Sequence, residues 1–271
     1  MKSIMLTADV SIPVLGFGTW QLTGQECIDG VCAALETGYR HIDTADAYGN
    51  HAQVAEGIKN SGVARKDFFL TTKLKFPNAY TKEAVAADAQ RFLEELQIDW
   101  IDLLLIHWPN REVPFAETLR AMDELKKKGI IKAIGVSNFT PHHLDDALKA
   151  GVEITNNQVE VRPTFNQKTL RDYCASKNIS ITAYSSLRGG DPELPLITEL
   201  ASKYSKTPQQ IILNWITNRG MITIPKSSHP ERIKENFESA SFEMEEADLE
   251  KIDNLPQSDR GNDPSFGDFE Y

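Results

Sequence analysis

IDLLLIHWPNREVPFAETLRAMDELKKKGIIKAIGVSN, residues 101–138, lays out a strand, a helix and a second strand in succession. Its first part, IDLLLIHW (101–108), is apolar on consecutive positions. Strands covered on both faces read this way, as in parallel sheets. FAETLRAMDELKKKG (115–129) then closes on lysines and Gly129, which suit the negative end and the left-handed stop of a helix. IKAIGVSN (131–138) is a second apolar run. Two parallel strands joined by a helix imply a right-handed crossover.

The same unit recurs along the chain. Further β-like runs are VLGFGTW (14–20), YRHIDTA (39–45), FFLTTKL (68–74), TNNQVEV (155–161), SITAYSSL (180–187) and MITIPKS (221–227), which makes eight in all. Helical patterns between them include 24–38, 81–96 and 207–220, the last two opening on Thr81 and on Thr207-Pro208. Threonine caps a helix start and proline fits its first turn. Eight units in 271 residues predict an α/β fold closed into a (β/α)8 TIM barrel, which needs about 250 residues. An open doubly wound sheet would want GxGxxG after its first strand, and GFGT (16–19) lacks the third glycine. No linker interrupts residues 1–271, so a single domain is expected. Residues 4–15 read as an N-terminal β-hairpin under the barrel. After the last strand, 229–240 and 245–255 read as helices, the second an extra C-terminal one. The tail 256–271 has no periodicity and reads as a surface loop.

Composition narrows the function. The net charge of −10 disfavours nucleic acid and anionic membranes as partners. No apolar run reaches the roughly 18 residues of a membrane span, and no cleavable leader is evident. A cytoplasmic monomer is therefore expected. Cys27, Cys32 and Cys174 fit no metal spacing, so free thiols and no bound metal are expected. Lys126, Lys127 and Lys128 read as helix-end charges, not as a binding patch.

In such a barrel the chemistry sits at the C-terminal ends of the strands. Asp43 ends the second run, Tyr48 follows in its loop, Lys73 lies on the third, and His107 ends the fourth before Trp108. Charged and polar groups inside apolar strands are costly unless paired. Together they suit proton donation to a carbonyl undergoing reduction. Tyr48 is the acid, and the Lys73 ammonium is expected to lower its pKa. Asp43 anchors the lysine, and a neutral His107 orients the carbonyl oxygen.

Over essentially its whole length the sequence resembles the aldo-keto reductase superfamily. GYRHIDTADAYGN (38–50), LTTKL (70–74), LLLIHWP (103–109), IGVSNF (134–139), NNQVEV (156–161) and IPKSSHPERIKENF (224–237) carry the likeness in order. It looks most like the bacterial 2,5-diketo-D-gluconate reductase and methylglyoxal reductase branch. The resemblance implies Asp43, Tyr48, Lys73 and His107 as catalytic tetrad and NADPH as cofactor. It implies Gly18, Thr19 and Trp20 near the nicotinamide, with Asp43. Ser137, Asn138 and Gln158 would bond its carboxamide, and Tyr184 would stack on its ring. Ser185, Ser186, Leu187, Ile224 and Pro225 would complete the cofactor cleft. Lys226, Ser227, Ser228 and Arg232 would hold the 2′-phosphate, with Glu235 and Asn236 at the adenine. A helix start after strand 8 suits an anion, and arginine's planar fork suits phosphate.

Trp20, Tyr48, Phe76, His107 and Trp108 are expected to form the substrate pocket. Short connections after His107 and after the seventh run imply small aldehydes, α-dicarbonyls or keto-sugars as substrates. Two positions depart from the family pattern: His51 stands for a usual glutamate and Ala55 for a usual glycine. The alternatives are a nicotinamide-binding sensor with little turnover, and a barrel hydrolase or isomerase with a strand-8 phosphate site.

Overall fold

The computed structural model describes residues 2–77 and 80–271. A hairpin of β1 (Ser3–Met5) and β2 (Ser11–Pro13) comes first. Eight parallel strands follow: β3 (Phe17–Gly18), β4 (His41–Asp43), β5 (Phe69–Leu74), β6 (Ile101–Ile106), β7 (Ile131–Ser137), β8 (Asn156–Glu160), β9 (Ser180–Tyr184) and β10 (Ile222–Thr223). They pair in sequence order from β3 to β10. The seam between first and last is closed by a Leu15–Thr223 bridge and by Gly18 N–H donating to Pro225 O at 3.1 Å. The result is the expected (β/α)8 barrel.

Ten α-helices lie among the described residues. α1 (Gly24–Thr37), α2 (His51–Ser61), α3 (Lys82–Leu96), α4 (Phe115–Lys127), α5 (Pro141–Leu148) and α6 (Lys168–Ser176) each connect two strands. α7 (Pro195–Tyr204) and α8 (Pro208–Asn218) both lie between β9 and β10. α9 (Pro230–Phe237) and the extra C-terminal α10 (Glu246–Asp253) follow the last strand. The expected caps are in place. The Thr81 hydroxyl accepts from Ala84 N–H, and Thr207 forms a reciprocal capping box with Gln210 ahead of Pro208. No helix is long and apolar enough to cross a membrane among the described residues.

The structure shortens several runs, 39–45 to His41–Asp43 among them. The expected runs 14–20 and 221–227 keep regular pairing only at Phe17–Gly18 and Ile222–Thr223. The seam there is tight: a Cβ at Gly18 would stand 2.5 Å from Ile224 O, a close backbone approach that glycine permits.

Side chains alternate between two cores. One set faces the helices: Leu70, Leu104, Ile106, Ile134 and Val136 pack with Phe92, Leu119 and Met122. The other fills the barrel: Phe69, Leu103, Leu105, Ala133 and Ile222, plugged from below by Leu6 and Ile12 of the hairpin segment. Alternation along a strand places Phe69, Thr71 and Lys73 on the inner side of β5 in rising order. The same parity carries His41 and Asp43 on β4. The apolar plug thus lies at the bottom, and the polar residues gather at the top.

Candidate active site

The centre of the site is a buried ion pair. Lys73 Nζ lies 2.5 Å from Asp43 Oδ1, with the lysine 0% and the aspartate 1% exposed. The ammonium also donates to Thr44 O at 2.8 Å and to the Tyr48 hydroxyl at 3.3 Å. The second carboxylate oxygen accepts from Gln158 Nε2 at 2.7 Å. Burial alone raises the Asp43 carboxyl and lowers the Lys73 ammonium, and their mutual attraction opposes both shifts. With every one of these hydrogen bonds made, the charged pair is the favoured form.

Tyr48 sits on a one-turn 3-10 helix, Asp46–Tyr48, just beyond β4. Its ring stands 5.8 Å from that of His107 at 73°, and 4.8 Å from that of Trp20. Burial, then the Asp43 charge, holds its phenol well above the ordinary value. The lowering expected from Lys73 is therefore not seen. Burial and the Asp43 charge outweigh the ammonium, which is bound to Asp43 at 2.5 Å and reaches the phenol at 3.3 Å. His107 is held down to about 3 by burial and the Lys73 charge, so its imidazole is neutral, as expected.

Loops at the mouth are braced by one asparagine. Asn50 Oδ1 accepts from Thr44 Oγ1, and its Nδ2 donates to Thr19 O and Leu22 O. The His51 departure has a physical account. Its ring nitrogens lie 2.8 Å from Glu95 Oε2 and 2.9 Å from Thr72 Oγ1. Arg91 bonds both Glu95 and Asp46, tying this network to the turn that carries Tyr48. Ala55 is buried on α2.

A cavity of about 660 Å³ opens over the tetrad. Its walls include Gly18, Trp20, Asp43, Tyr48, Phe76, His107 and Trp108. Ser137, Asn138, Gln158, Tyr184, Ser185, Ser186, Leu187, Ile224, Pro225 and Lys226 also line it. Most of the sequence-expected residues thus converge on one space, but Lys73, Ser227, Ser228, Arg232, Glu235 and Asn236 do not line it. Thr19 does not line it either: it is fully buried, and its hydroxyl donates to Asp43 O at 3.0 Å. Lys73 stands behind Tyr48 and Asp43. Ser227 and Asn236 are buried, while Ser228 is half-buried. Arg232 is exposed in the first turn of α9. Glu235 turns to α8, accepting from Thr207 Oγ1 at 2.9 Å.

Sequence reasoning missed the tail. Asn262, Pro264 and Phe266 wall the cavity, and Phe266 stacks on Phe76 at 5.0 Å and 17°. A nonperiodic segment gives no signal of where it lies. A second cavity, of about 680 Å³, lies between the tail and the starts of α5 and α6. It shares only Asn138 with the first and holds none of the tetrad.

Comparison with known proteins agrees with this geometry. The sequence pattern of the Aldo/keto reductase family matches residues 14–191 and 192–256. The chain is 41% identical to a glyoxal reductase of Bacillus subtilis (strain 168), over 95% of this chain and 94% of that protein. It is 40% identical to the methylglyoxal reductase DkgA of Escherichia coli (strain K12), over 94% of each. The crystal structure of a putative 2,5-diketo-D-gluconic acid reductase B superposes with a TM-score of 0.90 at 35% identity, covering 94% of this chain and 92% of that one. With the family pattern spanning nearly the whole barrel, the chain belongs to the aldo/keto reductase family.

Proposed function

We propose that this protein uses NADPH to reduce small aldehydes, α-dicarbonyls such as methylglyoxal, or keto-sugars to alcohols, with Tyr48 as general acid, as a cytoplasmic monomer. One observation carries the reading: the Asp43–Lys73–Tyr48 chain ends at a phenol set edge-on beside His107, and both line a cavity of about 660 Å³. The glyoxal and methylglyoxal reductases to which the chain is similar support the substrate class.

The residues present fit a nicotinamide cofactor. Among the described residues, His107 Nδ1 and Ser186 Oγ are buried without hydrogen-bond partners, and both residues line the cavity. Such atoms normally have partners, so a polar ligand is in keeping with them. Lys226 lines the cavity's edge, and Arg232 stands at the start of α9, where an anion is favoured. Ser137, Asn138, Gln158 and Tyr184 would hold the nicotinamide end, and Ser227, Ser228, Glu235 and Asn236 the adenosine end. When bound, NADPH supplies the hydride.

The chain's own residues do the rest. A phenol held above its ordinary pKa is fully protonated at neutral pH and holds the proton the new alcohol needs. As that proton leaves, the phenolate forms 3.3 Å from the Lys73 ammonium, which stabilises it. Asp43 keeps the ammonium charged and in place. Neutral His107 orients the substrate oxygen beside the phenol. Acid catalysis of this kind contributes roughly 10²- to 10⁴-fold. Trp20, Phe76 and Trp108 exclude water from the reacting carbon.

The test follows absorbance at the NADPH band with purified protein and methylglyoxal, repeated with NADH and with Tyr48→Phe. The expected result is oxidation of NADPH, weaker with NADH, and abolished in the variant with NADPH binding retained. Normal turnover by Tyr48→Phe would remove Tyr48 as the acid, and absence of NADPH binding would remove the reductase reading.

A further inference from the structure

The tail after α10 does more than wall the cavity. Gly261 and Asn262 donate their backbone N–H groups to the Glu160 carboxylate, at 3.0 and 2.8 Å. Glu160 is 1% exposed at the end of β8, so a buried charge is committed to fixing this part of the tail. Asn262 Nδ2 then donates to the Tyr184 hydroxyl oxygen at 3.2 Å. Tyr184 donates in turn to Asn138 Oδ1 at 2.7 Å. Asn138 Nδ2 donates to the backbone carbonyl of His107 at 3.0 Å and to Ser137 Oγ at 3.1 Å. Burial pushes the Tyr184 phenol up, so it keeps the proton this chain requires. An unbroken run of hydrogen bonds thus links the tail to the backbone of His107, through the residues at the proposed nicotinamide site.

We propose that Asn262 is a positioning residue for the cofactor: it locks the tail to Tyr184 and so fixes the ring face offered to the nicotinamide. The proposal rests on the reading that the nicotinamide stacks on Tyr184. Its consequence is that the substrate wall and the cofactor platform form one unit. Pro264 and Phe266, on the substrate side, follow Asn262 within four residues. The far end of the tail is held separately, by a two-bond fork from Arg111 to Asp268 at 2.5 and 2.9 Å and by His143 at 3.0 Å. None of these contacts touches Tyr184, so Arg111→Ala loosens the tail without breaking the Asn262 link.

The test is a fluorescence titration of NADPH on the wild type, Asn262→Ala, Tyr184→Phe, the double variant and Arg111→Ala, with methylglyoxal kinetics on each. Losing one neutral hydrogen bond predicts a rise in the NADPH dissociation constant of about 2- to 12-fold in Asn262→Ala. Acting through Tyr184, the same change adds little in the Tyr184→Phe background, since residues in one network are not additive. Arg111→Ala leaves NADPH affinity unchanged and raises only the KM for the carbonyl. Wild-type binding with an unchanged Asn262→Ala, or with effects that add fully in the double variant, overturns the role of Asn262 alone. Absence of NADPH binding by the wild type overturns the cofactor reading and this proposal with it.

Discussion

Asp43 and Lys73 were legible in the sequence because an aspartate and a lysine inside apolar strands must find each other or be neutralised. What the sequence did not carry is the way the pair is shared. Gln158 donates to the free oxygen of Asp43, and Thr44 O takes a second ammonium proton. These contacts depend on strand register, which brings Gly18 level with Asp43 and Ser137 level with Gln158. Burial, then the Asp43 charge, keeps Tyr48 from being the low-pKa acid the sequence suggested. A prediction follows for the pair. Lys73→Met leaves Asp43 buried without its counter-charge and costs about 3–5 kcal/mol of stability. Asp43→Asn combined with Lys73→Met recovers much of that loss while remaining inactive. Urea unfolding of the three proteins decides it, and a double variant no more stable than Lys73→Met refutes the charge argument. At the other end of the site, if Arg232 holds the 2′-phosphate as proposed, Arg232→Ala removes a charge-assisted bond worth about 1.5–3 kcal/mol, roughly 10- to 150-fold in NADPH affinity. NADH binding should be nearly unaffected, and equal weakening of both nucleotides excludes a 2′-phosphate contact.

Elements were legible where their apolar stripe is wide. α4 buries Phe115, Leu119, Met122 and Leu125, and α8 buries an almost continuous run from Gln210 to Ile216; both stood out by pattern. α6 buries only Leu170 and Cys174, and α5 only His143, Leu144 and Ala147. Stripes this thin give little periodic signal; the sequence marked a helix-like stretch at Cys174 without bounds, and α5 not at all. α7 was hidden by the DPELP turn (191–195), whose second proline is in fact its first residue and suits that position. α2 was absorbed into the segment after Tyr48, since its buried face is His51, Val54, Ala55 and Gly57. The strand elements carry a sharper test, at the seam between β3 and β10. Gly18→Ala would place a methyl 2.5 Å from Ile224 O, against backbone that cannot rotate away. Overpacking of this kind costs about 1–3 kcal/mol. The seam also forms the cavity wall at Gly18, Ile224 and Pro225, so the variant should bind NADPH more weakly as well as melt earlier. Unchanged stability would mean the barrel closes more loosely than these distances imply.

At the scale of the whole molecule, the eight-unit rhythm was enough to give the barrel, because parallel strands joined by helices have few ways to cover both faces of their sheet. The layering inside the barrel was not legible, and it has a consequence for acid stability. Below the polar top, His41 is fully buried, with Nε2 3.1 Å from Thr71 Oγ1 and its ring edge-on to Phe69 at 5.4 Å. Gly16 makes room for it: a Cβ there would stand 2.3 Å from Nδ1. Burial, then the Lys73 charge above, lowers His41 to about 3, against about 6.5 in an unfolded chain. Between those values the unfolded state binds the extra proton and the folded state does not. Stability is therefore full above about pH 6.5 and is lost as the pH falls toward 3. At pH 5 the loss from this one group is about 2 kcal/mol, at 1.36 kcal/mol per pH unit. His107 is lowered to about 3 and His51 and His143 are also lowered, so they act in the same direction. The depressed carboxyls Asp248, Asp146, Asp268 and Glu124 act below about pH 5, where unfolded carboxylates begin to take up their protons. The interval from pH 7 to 5 consequently reports the histidines. Urea midpoints of the wild type and His41→Gln at both values isolate the buried one. The variant should lose about 2 kcal/mol less than the wild type between pH 7 and 5, and parallel losses would mean that His41 already carries its proton inside the barrel.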